Sequence, residues 1–309
     1  MPVENDDLVT PDILRLEQIN KTFHIKPVFG PAKTVKALRN VNLSLRPGRA
    51  LALVGESGSG KSTVGRMIVQ HHAATSGRIL FEGSDIAEFT DRASQSKYRQ
   101  AVQMVFQDPF SSLNPAHTIR HHLQRALRLH QPDRSDEAAV RKILDEVELD
   151  PNTTPDKYPH ELSGGQRQRV NFARALAVNA RLIVADEPTS MLDVSIRRSV
   201  LALMERLKTE RGLSLLYITH DIATAEYLAE DTAVMFQGQV VEQGPTRDVV
   251  GAPKHSYTQL LRSAVPDPRQ RLLADDNGFS KRAKEVREAS ARLVSGMVEQ
   301  APGHLIAQH

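Results

Sequence analysis

The sequence predicts an α/β fold built on a largely parallel sheet. Three observations predict it. Apolar runs at residues 50–54, 182–185 and 213–218 have the length and continuity of strands buried on both faces. Helical patterns at 62–69 and 194–208 lie between strand candidates, as the crossovers of a parallel sheet require. A glycine-rich segment joins the first run directly to the first helix, so strand, loop and helix form one unit.

The elements follow in order. Residues 1–12 are acidic and aperiodic and read as a mobile terminus, without the basic-then-apolar order of a secretory signal. Residues 13–23 and 38–45 alternate loosely, with Ile13, Leu14, Leu16, Ile19 and Phe23 in the first, and predict two strands of a small β layer. Pro47 and Gly48 turn the chain into the 50–54 run. From 91 to 176 the sequence is mostly helical and polar, broken by Pro109, Pro115, Pro132 and Pro159, apart from one short apolar run within 98–107. This predicts a helical insertion, about 108–176, inside the α/β core. Residues 232–236 and 239–242, separated by Gln237 and Gly238, predict a hairpin. Residues 253–266 read as a packing element that buries Tyr257, Leu260 and Leu261 against the core. Beyond Pro266 the tail is charged, and Ala283, Val286, Leu293, Val294 and Met297 recur at helical spacing, predicting a helix over 280–298. The expected division is 1–12, a core at 13–250 and an extension at 251–309.

Composition excludes several function classes. The longest apolar runs fall far short of the roughly 18–20 residues that span a bilayer, so the expected chain does not cross a membrane and stays in the cytoplasm. The absence of cysteine removes disulfides, thiolate zinc sites and cysteine-ligated iron–sulfur clusters. A net charge of +3, no tryptophan and 5% aromatic residues give little support for a base-stacking nucleic-acid surface.

The chemistry concentrates in a few segments. Gly55, Glu56, Ser57, Gly58, Ser59, Gly60, Lys61 and Ser62 fit the G-x-x-x-x-G-K-[ST] phosphate loop, in the required context after a strand and before a helix; Thr63 follows. The glycines let successive N–H groups turn toward phosphate oxygens, and the helix adds its positive end. Lys61 is placed to reach the β- and γ-phosphates and Ser62 to offer a hydroxyl to Mg²⁺. Asp186 and Glu187 end the 182–185 run. Asp186 is placed for the Mg²⁺ shell and Glu187 to polarise the attacking water. Leu162, Ser163, Gly164, Gly165 and Gln166 place a hydroxyl and two unobstructed N–H groups at a helix start, a second anion cradle. His117, His121, His122 and His130 invite a metal reading, but no carboxylate or cysteine nearby completes a shell, and they read as solvated polar residues.

The 162–166 string, followed by Arg167, Gln168 and Arg169, resembles the signature of ATP-binding cassette (ABC) ATPases, and the resemblance covers roughly residues 13–266. It implies a P-loop cassette with a RecA-like parallel-sheet core, an N-terminal antiparallel β layer and a helical insertion. It further implies that two cassettes face each other, each ATP lying between one chain's phosphate loop and the other's signature. On this resemblance Gln107 matches the glutamine that contacts Mg²⁺ and water, and Asp193 the aspartate that crosses the dimer interface. His220 matches the histidine that contacts the γ-phosphate, and Phe23 the aromatic that stacks on adenine. Met191 departs from the small residue usual there. The strings at 54–63, 106–115, 158–163 and 253–266 resemble the oligopeptide/dipeptide permease branch. That branch implies a second, different cassette, two integral membrane permease subunits and an extracytoplasmic solute-binding protein, with this chain at the cytoplasmic face of the inner membrane. A soluble ABC ATPase acting on nucleic acid or ribosomes is the competing reading; one cassette, a short insertion and no cysteine weigh against it.

Overall fold

Parallel strands buried on both faces need apolar side chains at every position, and the centre of this molecule is built that way. The computed structural model describes residues 11–26, 30–108, 112–264 and 276–309, the side chains of 276–280 and 282 excepted. Residues 1–10 of the terminus expected over 1–12, together with Pro109, Phe110 and Pro266, lie outside the described residues.

The core strands are β3 (Ala50–Val54), β6 (Val102–Val105), β7 (Leu182–Asp186), β8 (Ser214–Thr219) and β9 (Asp231–Phe236). They pair in parallel in the spatial order β9, β3, β8, β7, β6. Successive side chains go to opposite faces. Ala50, Ala52 and Val54 of β3 join Ile183, Ala185, Leu215 and Tyr217 on one side. Leu51 and Leu53 join Leu182, Val184, Leu216 and Ile218 on the other. The first face is covered by α3 (Ile119–His130), α4 (Glu137–Glu146), α5 (Gly164–Ala177), α6 (Val194–Arg211) and α7 (Ile222–Leu228). The second is covered by α1 (Lys61–Ile68), by Tyr98 of α2 (Arg92–Ala101) and by an N-terminal sheet.

That sheet is antiparallel and holds β1 (Leu14–Ile25), β2 (Lys33–Leu45), β4 (Ser76–Phe81) and β5 (Ser84–Asp85), in the order β2, β1, β4, β5. The two strands expected from the sequence are β1 and β2. The strand β4 is a finding of the structure, because Ser76, Gly77 and Arg78 break the alternation before Ile79, Leu80 and Phe81. Only the pairing of Leu14 with Phe81 and Leu16 with Ile79 makes it a strand.

The C-terminal segment adds to the core sheet. The hairpin partner of β9 is β10 (Gln239–Pro245), which pairs antiparallel with β12 (His304–Gln308), itself paired with β11 (Gly296–Ala301). Between them lie α8 (Thr246–Gly251), α9 (Ser256–Ser263) and α10 (Asp276–Ser290). The helix expected over 280–298 therefore needs correction: it ends at Ser290, and Met297 and Val298 lie on β11. Pro302 and Gly303, with Gly303 at φ 72°, turn β11 into β12. The helical spacing of Val286, Val294 and Met297 arises because all three pack on one small core around Phe236, Val241 and Tyr257. They reach it from a helix, a turn and a strand respectively. Tyr257 is fully buried and Leu260 nearly so, as expected, and Leu261 packs on the same core.

Candidate nucleotide site

The site forms where β3 ends and α1 begins. The phosphate loop leaves β3 at the middle of the sheet, flanked by β8 and β9, so its backbone position is set on both sides. Gly60 precedes α1 at φ 106°, and a Cβ there would stand 2.8 Å from Leu38 Cδ2 and 2.9 Å from the Ala37 carbonyl. A side chain would thus be both strained and blocked. The first N–H groups of α1 have no intrahelical acceptor and face the loop's concave side.

A cleft of about 880 Å³ opens over this loop. Glu56, Ser57, Gly58, Gly60, Lys61, Ser62 and Thr63 line it, with Gln107, Glu187 and His220. Gly55 and Ser59 belong to the same loop but not to the lining, and Ser59 is 4% exposed. The far wall is Val35, Lys36, Ala37 and Arg39 of β2, Gln237 and Gly238 of the β9–β10 turn, and Leu261 of α9. These wall residues escaped the sequence reading. No local signal marked them, because Lys36 and Arg39 lie on a strand that alternates polar and apolar residues along much of its length.

Buried charge is arranged for a ligand. The Lys61 ammonium donates to the carbonyls of Gly55 at 2.7 Å and Glu56 at 2.9 Å. Burial pushes its pKa down, while Glu187, Asp186 and Glu56 partly oppose the shift. The Ser62 hydroxyl donates to Asp186 Oδ1 at 2.9 Å. Burial pushes the Asp186 carboxyl up, against the Ser62 hydrogen bond. Arg39 Nε is buried without a partner at the cleft wall. A cleft with N–H groups at a helix start, a buried ammonium and two cationic side chains, Lys36 and Arg39, in its wall fits a polyphosphate. The close pair of Ser62 and Asp186 oxygens fits Mg²⁺, which takes one or two protein oxygens and fills its shell from phosphate and water. Among the described residues no cluster of three or more His, Asp or Glu forms an all-protein metal cage.

Glu187 brings three of the expected residues together. It adopts φ 46°, a left-handed conformation that costs a non-glycine residue about 1–2 kcal/mol. Its N–H donates to Ile218 O at 2.9 Å, which holds it in place. This conformation coincides with the meeting of its carboxylate with two expected partners: Gln107 Nε2 at 3.3 Å and His220 Nδ1 at 3.2 Å from the same oxygen, Oε2.

The structure does not bring every expected residue into the cleft. Phe23 is absent from the lining; its ring stands edge-on to His72 at 5.3 Å with Lys21 4.8 Å above it, and its cross-strand partner Val35 lines the cleft instead. Leu162 to Gln166 and Asp193 also lie outside the cleft. Leu162 is buried, and Ser163 caps α5 in a reciprocal box with Gln166, leaving the N–H groups of Gly164 and Gly165 without intrahelical acceptors. A Cβ on Gly165 would stand 2.4 Å from Ile196 Cγ2, so close packing on α6 as well as open N–H groups demands glycine there. Asp193 starts α6 and is exposed, with Met191 and Val194 exposed beside it. The rings of His117 and His121 stack at 4.0 Å, and His122 Nε2 approaches Asn114 O at 3.1 Å. A second cleft of about 590 Å³, lined by Phe106, His71, Asn171 and Arg174 among others, runs between β6 and α5.

Comparison with known proteins agrees with this geometry. The family profile described as "ABC transporter" matches residues 38–190, and "Oligopeptide/dipeptide transporter, C-terminal region" matches 241–291. The oligopeptide transport ATP-binding protein AppF of Bacillus subtilis is 42% identical over 263 residues, covering 84% of this chain and 80% of AppF. The glutathione import ATP-binding protein GsiA of Salmonella typhimurium is 42% identical over 290 residues, covering 89% of this chain; the chain spans 45% of that longer relative. A dimeric, post-hydrolysis ATP-binding cassette bound to ADP and Pi superposes with a TM-score of 0.64 at 29% identity, over 76% of this chain and 99% of that one. At these identities and coverages, and on this fold, the chain belongs to the family of ABC transporter ATP-binding proteins.

Proposed function

We propose that the protein is the ATP-hydrolysing subunit of a membrane importer for peptides or related solutes, glutathione among them. One observation carries the ATPase part: Lys61, Ser62, Glu187, Gln107 and His220 converge on one cleft from four separate segments, and Asp186 stands behind Ser62 as its hydrogen-bond acceptor. The names of the relatives and the matched C-terminal region support the transport part.

In this reading the loop N–H groups and Lys61 hold the β- and γ-phosphates, Lys61 exchanging its two loop carbonyls for phosphate oxygens. Ser62 and Asp186 would hold Mg²⁺, which would supply positive charge against the phosphates. Glu187 orients and polarises the attacking water, with Gln107 and His220 fixing its carboxylate. Phe23 then stacks on adenine only if its ring leaves His72.

The signature and the D-loop Asp193 act on a second cassette. Ser163, Gly164 and Gly165 sit outside the chain's own cleft, and Met191 and Val194 present apolar surface beside Asp193, which supports a cassette partner at that face. ATP closes the pair, and hydrolysis opens it. Two permease subunits dock beside Gln107, against the cleft that Phe106 lines, and an extracytoplasmic binding protein delivers solute to them. The chain sits peripherally at the cytoplasmic face of the inner membrane; among the described residues no helix is long and apolar enough to cross it.

The test is to tag the protein in its native host, solubilise the membranes in mild detergent and identify what co-purifies. Two multi-span membrane proteins with a second cassette, and ATP hydrolysis by the complex, are expected. Recovery with ribosomes or nucleic acid, and no membrane protein, overturns the transport reading and leaves the ATPase.

A further inference from the structure

Two side chains of the C-terminal extension converge on one residue of the phosphate loop. The N–H of Glu56 donates to the Tyr257 hydroxyl at 3.2 Å. Its carboxylate Oε1 accepts from Arg287 Nη2 at 2.8 Å and Nε at 3.1 Å. Its carbonyl accepts from the Lys61 ammonium at 2.9 Å. Glu56 is therefore a single link between the extension and the lysine that meets the phosphates.

Both groups are held on firm supports. Tyr257 on α9 is fully buried, its ring centroid 4.4 Å from that of Phe236. One turn along α9, Leu261 lines the nucleotide cleft. Arg287 projects from α10, and Ala291, one turn on, helps enclose a cavity of about 330 Å³ behind Glu56, Ser57, Gly58 and Ser59. Neither Tyr257 nor Arg287 lines the nucleotide cleft, so both act on the ligand only through the loop.

We infer that Tyr257 and Arg287 are positioning residues: they fix Glu56, and thereby the loop and Lys61, so that the C-terminal extension sets the affinity for nucleotide. A loop already ordered before the ligand arrives does not lose that freedom on binding, which tightens affinity without changing the chemical step. The inference rests on the ATP reading of the cleft. Because Arg287 is half-exposed, the effect of its ion pair is modest and falls with salt.

The experiment uses the full chain in titrations with a fluorescent ATP analogue, in steady-state ATPase assays and in thermal melts. Arg287→Ala and Tyr257→Phe, the second removing only the hydroxyl, are expected to raise Kd and KM for ATP about two- to fivefold. Their kcat and Tm remain those of the wild type. Arg287→Lys recovers part of the loss. Combining Arg287→Ala with Glu56→Ala binds no more weakly than Glu56→Ala alone, since both remove the same pair. Wild-type affinity in both single variants, tighter binding, or additive losses in the double variant overturns the inference. So does an affinity loss matched by a fall in Tm, which would assign the residues to packing. A wild-type chain that binds no ATP overturns the nucleotide reading itself and this inference with it.

Discussion

Beside the cleft, buried polar groups sit at the end of β7 and the start of α1; in the C-terminal extension, equally buried polar groups face one another. Asp186, 5% exposed, is pushed toward its protonated form by burial, and Lys61, 4% exposed, toward its neutral form. Glu242 of β10 is fully buried too, yet its carboxylate accepts from the N–H groups of Lys254 at 2.8 Å and His255 at 3.1 Å and meets His304 Nε2 at 2.7 Å. Charges held in an unfavourable state await a ligand, whereas charges satisfied within the fold tie elements together. The difference separates a site from an anchor even where burial and residue type are alike.

The largest effect that can break this comparison is on Glu187. Replacing it by Gln keeps its shape and removes the charge that, in the proposed reaction, polarises water. Turnover should fall by about 10²–10⁴-fold with ATP binding retained. A near-normal kcat would remove Glu187 from the reaction. Gly165→Ala tests the core at a point that is packed and not charged. With a Cβ 2.4 Å from Ile196 Cγ2, overpacking should cost about 1–3 kcal/mol, seen as a lower Tm. Ile196→Ala in the same chain should return most of it.

On the anchor side, His304→Leu leaves the Glu242 carboxylate with only its two backbone donors. A loss of about 1–3 kcal/mol is expected, confined to β10–β12 and visible as faster amide exchange there. Equal exchange in the variant would show that Glu242 does not anchor the hairpin.

The smallest effect is a pH dependence. Burial, assisted by His309 at 3.2 Å between ring nitrogens, holds the His255 pKa at about 4, below its ordinary 6.5, with Glu242 opposing. The neutral ring therefore favours the folded extension. Its contribution is complete above pH 6.5 and is lost as pH falls toward 4. Amide protection in α9 and β12 should decline in that window, and His255→Gln should flatten the decline. Asp186 has the opposite sign: its raised pKa disfavours the fold as pH rises above its ordinary 3.8.

Where residues adjacent in the chain do the work together, the sequence alone is informative. The phosphate loop from Gly55 to Ser62, the Asp186 and Glu187 pair and the Ser163 to Gln166 cap each place their groups within one turn, so spacing encodes geometry directly. The same locality misleads at 280–298. Leu293 is exposed, and Val294 and Met297 share a core with Val286 only because a turn and a strand bring them back to it. A period of 3.6 reports which residues are buried, and a return of the chain can imitate it.

The sequence by itself determined the α/β alternation, the glycine-rich loop between β3 and α1, the carboxylate pair at the end of β7 and the capped start of α5, because hydrophobic period and turn chemistry are local properties. Tertiary structure alone decided that β4 is a strand, that β12 extends the core sheet, and that Leu261 walls the nucleotide cleft. It also decided that Tyr257 and Arg287 meet Glu56 across 201 and 231 residues of chain. Such contacts depend on which apolar faces find one another in three dimensions. No spacing within a segment records that choice.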